Sequence, residues 1–329
     1  MKVYKDADIN QKLIKQGRVA VIGYGNQAHA HAQNLLDSGV DVVVGLRDGS
    51  ERKQAAMDAG LTVLPIDQAA KSSDVVMMLI PDEVQGRVYR EYLHDHMKQG
   101  ACLGFAHGLA IRFNLVEPRD DIRPIMIAPK GPGHTLRSLY MQGLGMPCLV
   151  ASANDDDGSA FEMALSYAAA IGGGRAGVLP SSFAEECETD LFSEQVVLCG
   201  GVPGLVKNAF EVLVARGYTP EVAYIECLHE VKQIADLMWE GGLDYMHNAI
   251  SNTAEYGGYL ADERVVSPAV RAEMEKILDE VQDGTFVKAL LDDIEGGAHD
   301  LKRRRVKDKT HPIEEAGRNV RGMMPWLKS

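Results

Sequence analysis

The chain has little of what would support several simple explanations. Its five cysteines (Cys102, Cys148, Cys187, Cys199 and Cys227) are odd in number and form no C-x-x-C pair. That argues against a disulfide framework or a zinc site; reduced, mostly buried thiols are expected. No uninterrupted apolar run approaches the roughly 20 residues of a membrane-spanning helix, and Met1–Ile9 lacks a signal peptide's apolar segment. The expectation is therefore a cytoplasmic chain with no membrane partner. An excess of basic residues is missing as well. Lys and Arg number 34 against 47 Asp and Glu, a net charge of −13, which is the wrong sign for a nucleic-acid partner. Neither an internal repeat nor a low-complexity tract is present.

The charge is unevenly placed. Residues 1–181 hold 18 basic and 20 acidic side chains, whereas residues 182–329 hold 16 and 27. A length of 329 residues suffices for two cores. The texture changes at Pro180-Ser181-Ser182, where a turn and a potential N-cap precede an acidic helix. Domains of 1–181 and 182–329 are expected. In the first, apolar runs at Arg18–Gly23, Val40–Leu46, Leu61–Leu64, Asp74–Ile80, Ala101–Ala106 and Pro124–Ala128 alternate with helical patterns. Such runs predict an α/β domain of Rossmann type, a parallel sheet covered on both faces. Long helical periodicities at Asp190–Cys199, Pro203–Arg216, Glu221–Glu240, Pro268–Asp283 and Phe286–Gly296 predict an all-α second domain. Asn154–Gly158 reads as a surface turn and the basic run Lys302–Lys309 as a solvated helix end.

Gly23-x-Gly25-x-x-Ala28 lies directly after a strand and before a helix, the context in which this motif binds a dinucleotide. Gly23 permits the tight turn, Gly25 lets backbone approach a pyrophosphate, and Ala28 lets helix and strand pack closely. The phosphate would meet the N–H groups of Tyr24, Gly25, Asn26 and Gln27 at the helix start. The second strand ends in Arg47, with Ser50 and Arg52 just beyond. These can donate to a 2′-phosphate, which predicts NADPH rather than NADH, although Asp48 and Glu51 put opposing charge nearby. Asp82, Glu83, Val84 and Gln85 follow the fourth strand and should border the same cofactor, and Gly133 sits in a glycine-rich loop able to approach a ligand.

Two carboxylate pairs stand out in the second half, Asp190/Glu194 and Glu226/Glu230, each spaced i, i+4 and hence on one helix face. An all-oxygen set suits a hard cation such as Mg²⁺; a solvated acidic face explains either pair alone better, and the two pairs together stand evenly between the readings. Glu226-Cys227-Leu228-His229 also keeps a Glu-x-x-His di-iron pattern open. His107, after the buried run Gly104–Ala106, occupies a strand end where a catalytic group is expected, or a structural one. Ser251 lies in a polar stretch that composition alone makes a helix cap.

Longer words are more specific. GYGNQAHAHAQNL (Gly23–Leu35), APKGPGHTLR (Ala128–Arg137), ETDLFSEQ (Glu188–Gln195), ISNTAEYG (Ile250–Gly257) and RGMMPW (Arg321–Trp326) resemble ketol-acid reductoisomerase in its short form, from one end of the chain to the other. Asn26, Ala28 and Asp48 depart from the family's usual residues. The resemblance implies conversion of 2-acetolactate or 2-aceto-2-hydroxybutyrate to a 2,3-dihydroxy acid in valine and isoleucine synthesis. It implies two Mg²⁺ ions per site held by Asp190, Glu194, Glu226 and Glu230, with Asp190 bridging, and NADPH as reductant. It further implies His107 as catalytic residue, Ser251 on the substrate, and a knotted helical domain. The family forms a dimer or larger homo-oligomer whose sites borrow the second acidic pair from the partner chain. A metal-independent hydroxyacid dehydrogenase and a non-catalytic nucleotide sensor are the competing readings.

Overall fold

A computed structural model describes residues 1–327. The chain divides into two compact units, Met1–Thr189 and Asp190–Ser329. The division falls inside a helix, Phe183–Ser193, beyond the expected turn at Pro180–Ser182, because Glu186 and its neighbours bond within the first unit.

The first unit is built on eight strands: β1 (Arg18–Ile22), β2 (Asp41–Leu46), β3 (Thr62–Pro65), β4 (Val75–Met78), β5 (Cys102–Phe105), β6 (Arg123–Pro129), β7 (Cys148–Ser152) and β8 (Val178–Pro180). Their order is β3-β2-β1-β4-β5-β6-β7-β8. Every pairing is parallel except β6 with β7, which is antiparallel. Period-two alternation explains why these strands read as unbroken apolar runs. Val19, Val21, Val42, Val44, Val75 and Met77 enter one core. Ala20, Ile22, Val43, Val76, Met78 and Phe105 enter the other. Covering both faces makes each such side chain worth about 1.5–3 kcal/mol.

One polar pair lies deep in the first core. His31 is fully buried, its Nδ1 3.1 Å from the Tyr167 hydroxyl, and Nε2 has no partner among the described residues. Burial holds its pKa down to about 3. The unfolded chain therefore binds a proton below about pH 6.5 that the folded chain refuses until pH 3 is approached. Stability from this group is present above the unfolded value and is lost, at about 1.4 kcal/mol per pH unit, as pH falls between the two. His31→Gln is expected to flatten the fall of the melting temperature between pH 6.5 and pH 4. An unchanged slope would show that another group governs acid unfolding.

The second unit is helical. Its principal elements are Gly201–Ala215, Pro220–Tyr224, Glu230–Ala249, Asn252–Val265, Pro268–Gln282, Thr285–Glu295, His299–Lys309 and Pro312–Gly322. Two π turns, Glu194–Leu198 and Ile225–His229, interrupt the α geometry. The expected single helix Glu221–Glu240 is thus broken by a π turn; its successor runs on to Ala249 and bends at Gly242, where φ is 83°. The core of this unit is small: Val206, Phe210, Ala223, Tyr224, Ile313, Ala316 and Val320. Trp239, Leu243, Tyr256, Leu260 and Trp326 are large apolar side chains left exposed.

Phe183–Ala215 runs as 33 helical residues, with a mean hydropathy of 1.4 in its most apolar window and 11% of that window buried. By length and composition alone this helix could cross a membrane, although its apolar run is bounded by Gln195 and Lys207 and stays well short of a span. Outside its most apolar window it carries charge, with Glu185, Glu186, Glu188 and Asp190 in its first turns. Cys102, Cys148 and Cys187 are buried, Cys227 is half-buried and Cys199 is exposed. Burial raises the thiol pKa of Cys102 to about 11 and of Cys148 to about 12, so both stay protonated.

Candidate active site

The dinucleotide turn forms between β1 and the helix Asn26–Asp37. Gly23 has φ 99°, and a Cβ there would meet Leu79 O at 2.7 Å, so only glycine fits. Gly25 is exposed, with nothing within 4 Å of the same position. It is the N-cap of its helix and has no side chain to cap with, leaving first-turn N–H groups for an anion. A cleft of about 470 Å³ opens here, at the carboxyl ends of β1, β2 and β4. It is lined by Tyr24, Gly25, Arg47, Ser50, Arg52 and Val84, together with Ile66, Arg87 and Tyr92. Arg47 and Arg52 are exposed, and among the described residues neither pairs with a carboxylate. Asp48 lines an adjoining recess of about 70 Å³ with Gly49 and Lys53, and Leu46 and Arg47 border both.

Other expected cofactor residues stand differently. Asp82 and Glu83 begin the helix Asp82–Val88. Gln85 is buried, its amide donating to Ile80 O at 3.1 Å and to Asp82 Oδ1 at 2.9 Å. Gly133 meets protein backbone: a Cβ there would lie 2.1 Å from Asn26 O. Asn26 Oδ1 accepts from His134 N at 3.1 Å, and Gln27 Nε2 donates to Gly131 O at 2.9 Å.

His107, just past β5, belongs to a buried ion network. Glu186 is 1% exposed. Its Oε2 accepts from Gly108 N at 2.7 Å and lies 3.0 Å from His107 Nδ1, while Oε1 accepts from Lys130 Nζ at 2.7 Å. Burial opposes charge on both partners. The hydrogen bonds and opposite charges of His107 and Lys130 nevertheless keep the Glu186 carboxyl below its ordinary value. Against the same burial, the contacts of His107 with Cys187 and Glu186 raise the imidazole, which is thereby held as a donor cation. Cys187 Sγ is 4.0 Å from His107 Nε2, and Arg112 pairs with Glu188 at 2.8 Å. Neither Glu186 nor Lys130 stands out in the sequence as a site residue. The available signal was the i, i+4 series Ser182, Glu186, Asp190 and Glu194, which continues the acidic stripe one turn back.

In the second unit Asp190 is half-buried, while Glu194, Glu226 and Glu230 are exposed. Glu194 opens one π turn, Glu226 lies within the other, and Glu230 directly follows it. π turns inside helices often mark functional positions. Among the described residues Glu194, Glu226 and Glu230 join no cluster of three or more potential metal ligands. Ser251 is the N-cap of Asn252–Val265, its Oγ accepting from Ala254 N at 3.2 Å.

A parallel-dominated sheet, a glycine turn and an open cleft at its carboxyl edge, joined in sequence to an acidic helical unit, define a nicotinamide-dependent oxidoreductase. The chain belongs to the ketol-acid reductoisomerase family, enzymes of branched-chain amino acid biosynthesis. Residues 13–177 match that family's model for the acetohydroxy acid isomeroreductase NADPH-binding domain, and residues 183–326 match the ketol-acid reductoisomerase C-terminal domain. It is similar to an NADH-preferring ketol-acid reductoisomerase from an uncultured archean: 41% identity, 99% of this chain and 100% of that one covered, TM-score 0.96. A semialdehyde dehydrogenase NAD-binding protein from Cupriavidus necator shares the fold at 16% identity, with 81% and 99% coverage and TM-score 0.64. So does a pyrroline-5-carboxylate reductase from Coxiella burnetii, at 16% identity, 81% and 96% coverage and TM-score 0.57.

Proposed function

We propose that the enzyme converts 2-acetolactate or 2-aceto-2-hydroxybutyrate to the matching 2,3-dihydroxy acid. NADPH is the reductant, two Mg²⁺ ions serve each site, and the setting is a cytoplasmic homodimer or larger homo-oligomer. The observation that carries this reading is the carboxylate set Asp190, Glu194, Glu226 and Glu230, in or within one helical turn of two π turns, in a chain whose other unit holds a dinucleotide cleft. All-oxygen donors, with Glu226 and Glu230 unclaimed by any cation of the described chain, fit hard divalent ions. Bound there, such ions supply Lewis-acid polarisation of the substrate's hydroxyl and carbonyl oxygens. The nicotinamide, when bound, supplies the hydride.

In the reaction the C2 hydroxyl loses its proton, the alkyl group migrates from C2 to C3, and the resulting 2-keto group is reduced. His107 is proposed as the catalytic residue, a donor whose Nδ1 is fixed by Glu186. Ser251 is proposed to contact substrate, its hydroxyl keeping a proton to donate while Oγ caps its helix. The proposed dinucleotide contacts are Tyr24 to Gln27 at the pyrophosphate and Arg47, Ser50 and Arg52 at the 2′-phosphate, with Asp82 to Gln85 bordering the cofactor. Gly133 is assigned to support of the turn. The exposed apolar side chains of the second unit favour a partner copy as their cover.

Purified enzyme given 2-acetolactate, Mg²⁺ and NADPH is expected to lose the reduced-cofactor absorbance and to yield 2,3-dihydroxyisovalerate. Unchanged absorbance with either NADPH or NADH would sink the proposal. A second reading of the cofactor is favoured by the NADH preference of the archaeal relative. The kcat/KM ratio of the two cofactors decides it. Two guanidiniums on the cleft, neither paired with a carboxylate of the described residues, lead us to expect a ratio above ten for NADPH. Arg47→Ala together with Arg52→Ala should bring that ratio near one, chiefly through KM.

A further inference from the structure

The loop between β6 and the helix Gly133–Met141 touches two sites at once. At one end, Lys130 Nζ donates to Glu186 Oε1 at 2.7 Å, and Glu186 in turn accepts from Gly108 N. At the other, the loop is fastened to the dinucleotide turn three times over. Gln27 Nε2 donates to Gly131 O at 2.9 Å, His134 N donates to Asn26 Oδ1 at 3.1 Å, and Gly133 lies so close that a Cβ would fall 2.1 Å from Asn26 O and 2.9 Å from Gln27 N. Pro132 stiffens the span between them by fixing its own φ. Gln27 carries a further sign of a constrained role: its Oε1 is buried with no partner among the described residues. A buried amide oxygen left unmatched costs about 1–3 kcal/mol, and it persists here because the other end of the amide is committed to Gly131.

We infer that the side chains of Asn26 and Gln27 are positioning residues: they tie the Lys130 loop to the dinucleotide turn, so that filling the cofactor cleft tightens the Lys130–Glu186–Gly108–His107 network. Only the backbone N–H groups of these two residues are needed by a pyrophosphate at the helix start; the amides of their side chains face the loop. The short stretch Lys130–His134 contacts the network at one end and the turn at the other. Ordering the turn by anion binding therefore restricts Gly131 and Gly133, and with them the backbone that carries Lys130. This inference rests on the proposal that the cleft takes a nicotinamide dinucleotide.

Hydrogen–deuterium exchange of the full-length protein with and without NADP⁺ tests it. In the unaltered enzyme, the nucleotide should slow exchange in residues 23–36, at the turn, and also in residues 103–111, which include the Gly108 amide. In Gln27→Met, of similar length but without the amide, protection of 23–36 should remain and protection of 103–111 should fall by half or more. Asn26→Ala should do the same, and both should lower kcat several-fold more than they raise KM for the cofactor. Full protection of 103–111 in both variants overturns the inference. Loss of nucleotide binding in both also overturns it, because the side chains would then be contacts to the nucleotide. Absence of protection at 23–36 in the unaltered enzyme would instead remove the nucleotide reading itself.

Discussion

Glu226→Gln is expected to abolish turnover, by at least about a thousandfold, while NADP⁺ binding and the melting temperature stay within error. Glu226 is exposed and makes no ion pair among the described residues, so removing its charge costs the fold little. On the proposed assignment the same charge is one of four hard-cation ligands and should matter greatly to Mg²⁺ affinity and to the polarisation of a substrate oxygen. Calorimetric titration with Mg²⁺ should show weakened or absent binding in the variant. A Glu226→Gln enzyme that retains more than a tenth of its activity would exclude this residue from the metal site. Loss of nucleotide binding along with activity would indicate a folding defect.

Glu186→Gln should behave in the opposite way, damaging stability as well as activity. Its carboxylate is the acceptor for Gly108 N, Lys130 Nζ and the His107 imidazole within one buried site. Neutralising Glu186 removes one counter-charge from a buried ion network, a change worth about 3–5 kcal/mol for a buried pair. Lys130 keeps some exposure, so the lower end of that range applies. About 3 kcal/mol corresponds to a fall of roughly 6–12 °C in melting temperature. Turnover should fall with it, because His107 loses the acceptor that orients Nδ1. A melting temperature within 2 °C of the parent, roughly the smallest shift that 1 kcal/mol gives at this size, would mean that Glu186 is not charged in the folded state.

Most of the first unit was legible because fully buried parallel strands leave unbroken apolar words, and β1 to β6 lie where those words lie. The two strands that went unread are β8, only three residues long, and β7, five residues that follow Pro147. Its antiparallel run beside β6 needs only the local return through Gly133–Met141. Asp155 illustrates a partial reading: the acidic turn does lie at the surface, but its carboxylate also accepts from Ala160 N and Phe161 N, at 2.9 and 2.8 Å, at the start of the next helix. The helices of the second unit were visible by period, but the π turns were not, since one inserted residue leaves composition untouched. Of the site, the glycine turn was readable from its spacing. Glu186 was not, because nothing in a crowd of acidic residues says which one is buried until Lys130 and His107, distant in sequence, close on it.

The π turns have a consequence for insertions and deletions. An i to i+5 turn holds about one residue more than an α turn, so each π turn takes up an extra residue without rotating the helix beyond it. Deleting Leu228 is expected to restore plain α geometry with the following segment at its former facing, while Glu226 and Glu230 fall from four residues apart to three. The spacing of that carboxylate pair is thus set by the extra residue. Such a deletion should weaken the proposed cation site without unfolding the chain, and trimming the exposed tip Asp156–Gly158 should be far better tolerated.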